Sequence, residues 1–217
     1  MTVELFAHPF SSYCQKALIA FYENDVPFSL RMLEDAGVGE TFAELWPLKR
    51  FPILRDGERV VMEASIIVEY LQVHHPGPIK LVPDDPDLAL EVRMLDRIFD
   101  NYVMTPQGKF VFDALRPAEA RDPHGVEEAR QMLDVVYAWL DVRMQSRTWA
   151  VGDTFTLADC AAAPSLFYAD WTYRIPEQFR ALIAYRSRLL ARPSFARCVD
   201  EARRFRHYFP LGAPDRD

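Results

Sequence analysis

The chain has 217 residues, of which 50% are hydrophobic and 13% aromatic, so it folds around one or two apolar cores rather than remaining disordered. Its formal net charge of −7 excludes a general affinity for the phosphate backbone, and we expect no nucleic-acid partner. The charge is uneven: the stretch from Arg174 to Arg206 holds nine arginines and three acidic residues, which predicts a solvated basic helix face or, alternatively, a docking surface.

The cysteines and histidines give no sign of a disulfide framework or a metal site. Cys14, Cys160 and Cys198 are odd in number and far apart, and none of the five histidines has the spacing of a zinc site or a catalytic triad. The sequence also has no secretory signal pattern at its start and no apolar run of about 18 residues. We therefore expect a cytoplasmic protein with no bound metal and no membrane partner.

Hydrophobic patterns in the first third of the chain alternate between strands and helices. Strands are predicted at VELFA, VPFSLRML, PILRD and RVVME, with the turn signal Asp56-Gly57 joining the last two. Helices are predicted over residues 12–23 and across VGETFAELWPL and ASIIVEYLQVHH. The order βαβαββα predicts a mixed four-stranded sheet with flanking helices over residues 1–77, because parallel strands need helical crossovers.

The strand signals stop after the proline-rich segment HPGPIKLVPDDPD. The remaining patterns predict a long helix from Asp87 past Pro106, helices over 126–147 and 156–171, and two short helices after Pro176 and Pro193. The chain is therefore predicted to have an α/β domain at 1–77, a linker at 78–86 and an all-helical domain at 87–217.

The stretch FAHPFSSYCQKALIAFY places two serines and a cysteine where an apolar strand passes into a helix. Ser12, followed three residues later by Gln15, fits a capping box, which leaves Ser11 without a structural role. A hydroxyl at the open start of a helix lies beside unpaired N–H groups and the positive end of the helix dipole, where it can stabilise an anion. The alternative is that either serine only caps the helix.

Cys14 is open to two interpretations. Cysteines at helix N-termini can have depressed pKa values and act as nucleophiles. Cys14 shares a helical face with Leu18 and Phe21, however, which favours a buried apolar side chain.

Two further motifs lie at strand ends. In LKRFPIL, Pro52 stands where a strand begins, and most X-Pro bonds are trans. In VVMEASIIVEYL, Ser65 can cap a helix and Glu63 can complement its dipole; alternatively, Glu63 and the helix amides can hold the ammonium and carboxylate of an amino-acid head group. The ends of ELFA and RVVME would then lie at the same edge of the sheet.

A second helix start, GDTFTLADCAAAP, contains a capping box of Thr156 and Asp159 and a hydrophobic staple from Phe155 to Cys160. Both polar side chains make the hydrogen bonds of the capping box, so the predicted role of this motif is structural.

The order and spacing of these motifs closely resemble the cytosolic glutathione S-transferase family. The resemblance covers nearly the whole chain, with SSYCQKALIA, LKRFPIL and MEASIIVEYL in a thioredoxin-like N-terminal domain and FTLADCAAAP in an all-helical domain. SSYCQKALIA is most similar to the serine-type zeta and tau classes, and Phe6 lies where the tyrosine-type classes have their tyrosine. The resemblance implies a homodimeric detoxification enzyme with glutathione as its co-substrate.

The resemblance also implies roles for individual residues. Ser11 would hydrogen-bond the glutathione sulfur, Pro52 would be the cis-proline, and Phe51 would offer its backbone to the cysteinyl unit. The other glutathione contacts would come from Ser12, Lys49, Arg50, Glu63, Ala64 and Ser65. The chain departs from the family at Ala64, where a serine is usual, so one hydroxyl contact is lost and Ser65 is the nearest hydroxyl that could compensate.

The electrophilic substrate would bind between the two domains, in a pocket lined by Phe10, Tyr102, Pro106, Tyr168 and Trp171. Aromatic side chains fit a flat apolar or conjugated substrate, although aromatic residues at helical spacing also build cores. The predicted function is transfer of the glutathione thiolate to a small electrophile. Two alternatives stay open: a noncatalytic binding module that docks a partner through its basic C-terminal helices, and a glutathione-dependent thiol-disulfide oxidoreductase that uses Cys14.

Overall fold

The structure, a computed structural model, describes residues 2–217. The strands are β1 (Val3–Phe6), β2 (Phe28–Arg31), β3 (Ile53–Asp56) and β4 (Arg59–Met62). The helices among them are α1 (Ser12–Glu23), α2 (Val38–Leu45) and α3 (Ala64–His74). The helices that follow are α4 (Pro86–Ile98), α5 (Thr105–Ala114), α6 (Pro123–Met144), α7 (Leu157–Thr172), α8 (Arg180–Leu190) and α9 (Pro193–Ala202). The predicted fold class, a βαβαββα unit followed by an all-helical unit, is confirmed.

The four strands form one mixed sheet in the order β2-β1-β3-β4. β1 and β2 are parallel, with α1 as their crossover, whereas β3 is antiparallel to both β1 and β4. β3 and β4 form the hairpin predicted from Asp56-Gly57, in which Gly57 takes the left-handed φ of 62° that such turns require. The alternation of strands and helices thus gives the sheet its predicted topology.

Helix α1 lies between the sheet and the helical unit. All residues from Cys14 to Phe21 are buried, so the helix is enclosed on every side. The Tyr22 hydroxyl donates to Glu201 at 2.6 Å, and Arg192 donates through Nε to Glu23 at 2.8 Å. The two units therefore share one continuous core along α1.

The long helix predicted from Asp87 past Pro106 is interrupted. Between α4 and α5, residues Phe99–Met104 form a π-helical segment. The Thr105 hydroxyl donates to the Asp100 carbonyl at 2.9 Å, and Pro106 has no N–H to donate to the preceding turn. The side chains in this segment therefore differ in direction from those of one regular helix.

Within residues 2–217, no helix combines the length and the apolar character needed to cross a membrane.

Candidate functional site

Three chain segments leave the sheet at one edge. Phe6, the last residue of β1, is paired with Ile53, the first residue of β3, and Ile53 is paired with Met62, the last residue of β4. The segment leading to α1, the segment before β3 and the segment leading to α3 therefore lie side by side. The predicted sites around Ser11, Pro52 and Glu63 are brought together by this register.

Ser11, not Ser12, caps helix α1. Its backbone is extended (φ −88°, ψ 126°), and its Oγ accepts a hydrogen bond from the Cys14 amide at 3.4 Å. The predicted capping box of Ser12 and Gln15 is wrong, because Gln15 is buried and donates through Nε2 to the Pro9 carbonyl at 2.9 Å and to Tyr168 at 3.2 Å. Ser11 therefore has a structural role, and its chemical role stays a prediction.

Cys14 is fully buried, as its shared face with Leu18 and Phe21 predicted. Burial raises the pKa of the Cys14 thiol to about 12, although hydrogen bonds from Ser11 and from the His8 amide favour the thiolate. A thiol with this pKa is protonated at neutral pH and is a poor nucleophile.

The segment before β3 contains the predicted cis-proline. The Phe51–Pro52 peptide bond is cis, as the resemblance implied, and Pro52 is buried. Lys49 and Arg50 are exposed, and Lys49 has a positive φ of 51°. Two exposed cations thus stand directly before the buried proline.

Glu63 occupies the cap position of α3 in an unusual conformation. Its φ is 67° and its ψ is 118°, its side chain makes no cap bond, and the residue is exposed. A side chain with a positive φ costs on the order of 1–3 kcal/mol, and such positions cluster at ligand sites. Ala64 is buried next to it.

Ser65 takes part in a buried charge cluster that the sequence did not predict. The cluster contains Lys16 from α1, Asp96 from α4 and Asp100 from the π-helical segment, and all are almost fully buried. The Ser65 hydroxyl accepts from Lys16 Nζ at 2.8 Å and donates to Asp96 at 2.8 Å, while Lys16 also donates to Asp100 at 2.8 Å. The Ser65 hydroxyl therefore has no hydrogen left to donate to a ligand.

Arg97 closes the cluster on its outer side. Its Nη2 donates to Asp96 and Asp100, at 2.6 Å each, and also contacts the Ser65 hydroxyl. Although burial lowers the pKa of Arg97, its hydrogen bond to Asp96 and the nearby charges, including Glu63, raise it above its usual value. The guanidinium is thus charged and held at the first turn of α3.

Tyr13 faces this end of the site from α1. Burial and the Asp100 carboxylate raise the pKa of Tyr13, whereas a hydrogen bond with Thr105 and the charge of Arg97 oppose the rise. Because its pKa is raised, the phenol is protonated at neutral pH and can donate a hydrogen bond. In the sequence, the buried charge cluster is indicated only by Lys16, a charged residue inside the apolar run CQKALIAF.

The predicted electrophile pocket is only partly assembled from the residues named for it. Phe10, Tyr168 and Trp171 form one aromatic cluster, with the Phe10 and Tyr168 ring centroids 5.6 Å apart and those of Tyr168 and Trp171 also 5.6 Å apart. The Tyr168 hydroxyl donates to the Phe10 carbonyl at 3.0 Å. Tyr102 and Pro106 lie elsewhere, in the π-helical segment and in α5, with Tyr102 exposed and Pro106 buried.

His8 is less isolated than the sequence indicated. Its Nδ1 accepts from the Phe10 amide at 3.1 Å, its Nε2 lies 3.0 Å from Glu34, and its ring contacts Phe205 edge-on. Burial is the main cause that lowers the pKa of His8. Across residues 2–217 no three His, Cys, Asp or Glu side chains lie close enough together to hold a metal ion.

Comparisons with known proteins agree with this architecture. A model of the glutathione S-transferase N-terminal domain matches residues 5–79, and one of the C-terminal domain matches residues 103–193. A glutathione S-transferase of Methylobacterium radiotolerans, solved in complex with glutathione sulfonate, superposes with a TM-score of 0.79 at 29% identity, covering 92% of this chain and 95% of that one.

Two curated relatives extend the match. A stringent starvation protein A homolog of Coxiella burnetii is 26% identical over 201 residues, 91% of each chain. A glutathione S-transferase of Silene vulgaris is 26% identical over 213 residues, 92% of this chain and 97% of that one. The two domain models match the chain one after the other, the first on the α/β unit and the second on the helical unit. The chain therefore belongs to the glutathione S-transferase family.

Proposed function

We propose that this protein is a glutathione transferase of the serine type, in which Ser11 stabilises the glutathione thiolate for attack on a small apolar or conjugated electrophile. The observation that carries the proposal is the alignment of Ser11, Pro52 and Glu63 along one edge of the sheet. The related structure with bound glutathione sulfonate supports glutathione as the co-substrate.

The chemistry needs a modest shift in the thiol pKa. A free thiol has a pKa of about 8.5, and lowering it by about 2 units requires about 2.7 kcal/mol of preferential stabilisation of the anion. A hydroxyl donor and the N-terminal end of α1 together supply energies of this size, through a charge-assisted hydrogen bond and the helix dipole.

Ser11 is suited to donate this hydrogen bond. Its oxygen already accepts from the Cys14 amide, which leaves its single O–H free to donate. The competing acceptor is the Cys14 sulfur, which is a protonated thiol and therefore weak. A glutathione thiolate outcompetes it because the anion is the stronger acceptor.

The transfer itself is a nucleophilic attack. The glutathione thiol releases its proton to water, its sulfur forms a bond to the electrophilic carbon, and the leaving group departs with the electrons of the broken bond. Phe10 and Trp171, whose ring centroids are 6.5 Å apart, are partly exposed and would hold the apolar part of the electrophile beside the sulfur, whereas Tyr168 is buried behind them.

Glutathione binding and transfer test this function directly. We expect the protein to be retained on glutathione resin and to conjugate glutathione to a generic aromatic halide such as 1-chloro-2,4-dinitrobenzene. Free cysteine at the same thiol concentration serves as the control co-substrate. Retention without turnover of any electrophile, or no retention at all, would contradict the proposal.

We further infer that the enzyme is a homodimer. Large apolar side chains are exposed on α4 (Leu90 and Met94) and on α6 (Val135, Trp139 and Val142). These helices are neighbours, since Arg143 of α6 pairs with Glu91 of α4. Exposed apolar patches of this kind mark interaction sites. Light scattering should give twice the 25.1 kDa chain mass, and a value equal to that mass at micromolar concentration would contradict the dimer.

The three cysteines support a cytoplasmic location. Cys14, Cys160 and Cys198 are all free and buried. Unpaired cysteines are typical of reducing compartments.

A noncatalytic binding module is the second candidate. Ala64 in place of the usual serine and the relative named stringent starvation protein A homolog favour it. The basic stretch from Arg174 to Arg206 gives it little support, because its arginines are largely engaged within the fold. Examples are the pairs Arg186–Asp170, Arg192–Glu23, Arg197–Glu201, Arg203–Asp200 and Arg206–Asp217.

A further inference from the structure

The amino-acid end of the proposed glutathione site lacks an obvious side-chain partner for a carboxylate. Ala64 has no side-chain donor, and the Ser65 hydroxyl donates its one hydrogen to Asp96. Lys16 is no substitute, since its three N–H donors face Ser65, Asp96 and Asp100 and only 1% of its surface is exposed. The first-turn amides of α3 remain open to the carboxylate of a γ-glutamyl group, but Ala64, Ser65 and Lys16 offer it no side-chain donor. A cation beside this helix start would supply the missing side-chain contact.

Arg97 is the remaining cation at this position. Its Nε and Nη2 are bonded to Asp96, Asp100 and Ser65, while its Nη1 makes no hydrogen bond to any residue in the range 2–217. Its side chain is 48% exposed. The guanidinium is thus fixed on one side and available on the other, so binding a ligand through Nη1 requires little loss of side-chain freedom.

The charges around Arg97 allow an anion to approach. Lys16 and Arg97 balance the carboxylates of Asp96 and Asp100, so the cluster carries no excess negative charge. A further carboxylate in this region is that of Glu63, two residues before Ser65, and its charge raises the pKa of both Arg97 and Tyr13. Arg97 contacts Ser65 in the first turn of α3, and Glu63 is the cap residue of the same helix. A cation and an anion thus lie at one helix start, which matches the two charges of an amino-acid head group.

We propose that Arg97 binds the α-carboxylate of the γ-glutamyl group while Glu63 binds its ammonium, so that Arg97 replaces the hydroxyl lost at Ala64. This assignment rests on the proposed function and specifies its ligand: the site requires both charges of an α-amino acid.

Calorimetry with three thiol ligands tests the assignment. The ligands are glutathione, γ-aminobutyryl-cysteinylglycine, which lacks the α-carboxylate, and glutaryl-cysteinylglycine, which lacks the ammonium. We expect the unmodified protein to bind each analogue about 10- to 100-fold more weakly than glutathione, since each loses one charge-assisted hydrogen-bonded contact.

Arg97→Gln should weaken glutathione binding about 10- to 100-fold and reduce by the same factor the preference for glutathione over the analogue without the carboxylate. The preference over the analogue without the ammonium should persist. Glu63→Gln should reduce the preference for glutathione over the analogue without the ammonium and leave the preference over the analogue without the carboxylate unchanged. These ratios are measured within one variant, so they do not depend on the folded fraction.

Two further variants control for stability and charge. Arg97→Lys keeps the charge beside Asp96 and Asp100 but loses the planar fork, and should retain part of the carboxylate preference. Arg116→Gln removes an arginine of similar exposure, 44%, that pairs with Asp113 three residues away, and should leave all three affinities unchanged.

The outcomes separate this assignment from the proposed function. If Arg97→Gln binds glutathione and keeps the full preference over the analogue without the carboxylate, the assignment is overturned and the proposed function stands. If the unmodified protein binds no glutathione at millimolar concentration, the proposed function and the assignment both fail.

Discussion

Helices α1 and α7 begin with similar sequences but opposite chemistry. Each has a hydroxyl residue at its cap and a cysteine in its first turn or just beyond it: Ser11 and Cys14 in α1, Thr156 and Cys160 in α7. In α7 the third helical residue is Asp159, and in α1 it is Cys14. The residue at this position determines whether the amide N–H groups at the helix start have a side-chain acceptor within the first turn.

The start of α7 is closed. The carboxylate of Asp159 accepts from the amides of Thr156 and Ala150, at 2.9 Å each, and from the Tyr185 hydroxyl at 2.6 Å, and the predicted capping box is present. Burial raises the pKa of Asp159 even though these bonds favour its ionised form. Each of these polar groups has a hydrogen-bond partner within the core, so the start of α7 has a structural role.

The start of α1 is open. Ser11 makes a single long bond to the Cys14 amide, no acidic side chain lies in the first turn, and Gln15 is turned toward Tyr168. The positive end of the helix dipole therefore has no anion supplied by the first turn. Helix starts that resemble each other in sequence are thus separated into structural and chemical sites by what lies at the third helical position.

The largest expected effect is on stability, at the start of α7. Asp159→Ala leaves two backbone amides and the Tyr185 hydroxyl without a partner, which should cost about 3–5 kcal/mol of unfolding free energy. Tyr185→Phe removes only one of these bonds and should cost about 1 kcal/mol. Urea denaturation measures both, and equal losses would mean that Asp159 is not the centre of this network.

The start of α1 should respond chiefly in activity, although loss of the Ser11 cap should also cost about 1 kcal/mol of unfolding free energy. Ser11→Ala should reduce turnover about 10- to 1,000-fold, which corresponds to about 1.4–4 kcal/mol for one preorganised donor to an anion. The absorbance of bound glutathione thiolate against pH should shift to higher pH, because the ionised form loses its donor.

Ser12→Ala is the matched control for Ser11. Because Ser12 is the first helical residue and not the cap, its loss should leave turnover and the thiolate titration near those of the unmodified protein. A shift in Ser12→Ala that equals the shift in Ser11→Ala would show that the Ser11 hydroxyl is not the specific donor to the thiolate.

The smallest expected effect is at Cys14. Since burial raises its pKa to about 12, native protein at pH 8 should react with iodoacetamide far more slowly than free cysteine does, as mass spectrometry can measure. Cys14→Ala should cost about 1 kcal/mol through a small cavity and leave transfer within a few-fold. Loss of all activity in Cys14→Ala would restore the thiol-disulfide oxidoreductase alternative.

Local patterns predicted the parts of the molecule that depend on neighbouring residues. The order of strands and helices along the chain, the Asp56-Gly57 hairpin and the Thr156–Asp159 cap all follow from residues a few positions apart. The cap of α1 was misplaced by one residue, because two adjacent serines are equivalent in sequence and only the burial of Gln15 against Tyr168 separates them.

The charge cluster could not be predicted in the same way. Lys16 meets Asp96 and Asp100 only after α1 packs between the sheet and the helical unit. The position of Arg97 depends on these contacts, and so does the loss of Ser65 as a free hydroxyl. The family resemblance identified the three segments at the sheet edge, whereas the tertiary packing determines which side chains in them remain available.

The π-helical segment Phe99–Met104 also has a consequence for alignment with other sequences. A π turn holds one residue more than an α turn, and one extra residue rotates everything after it by about 100° around a regular helix axis. By absorbing that residue locally, the segment keeps α4 and α5 in phase with the core on both sides. Relatives with an uninterrupted helix here should therefore align with a single-residue gap inside the helix, where alignments usually allow none.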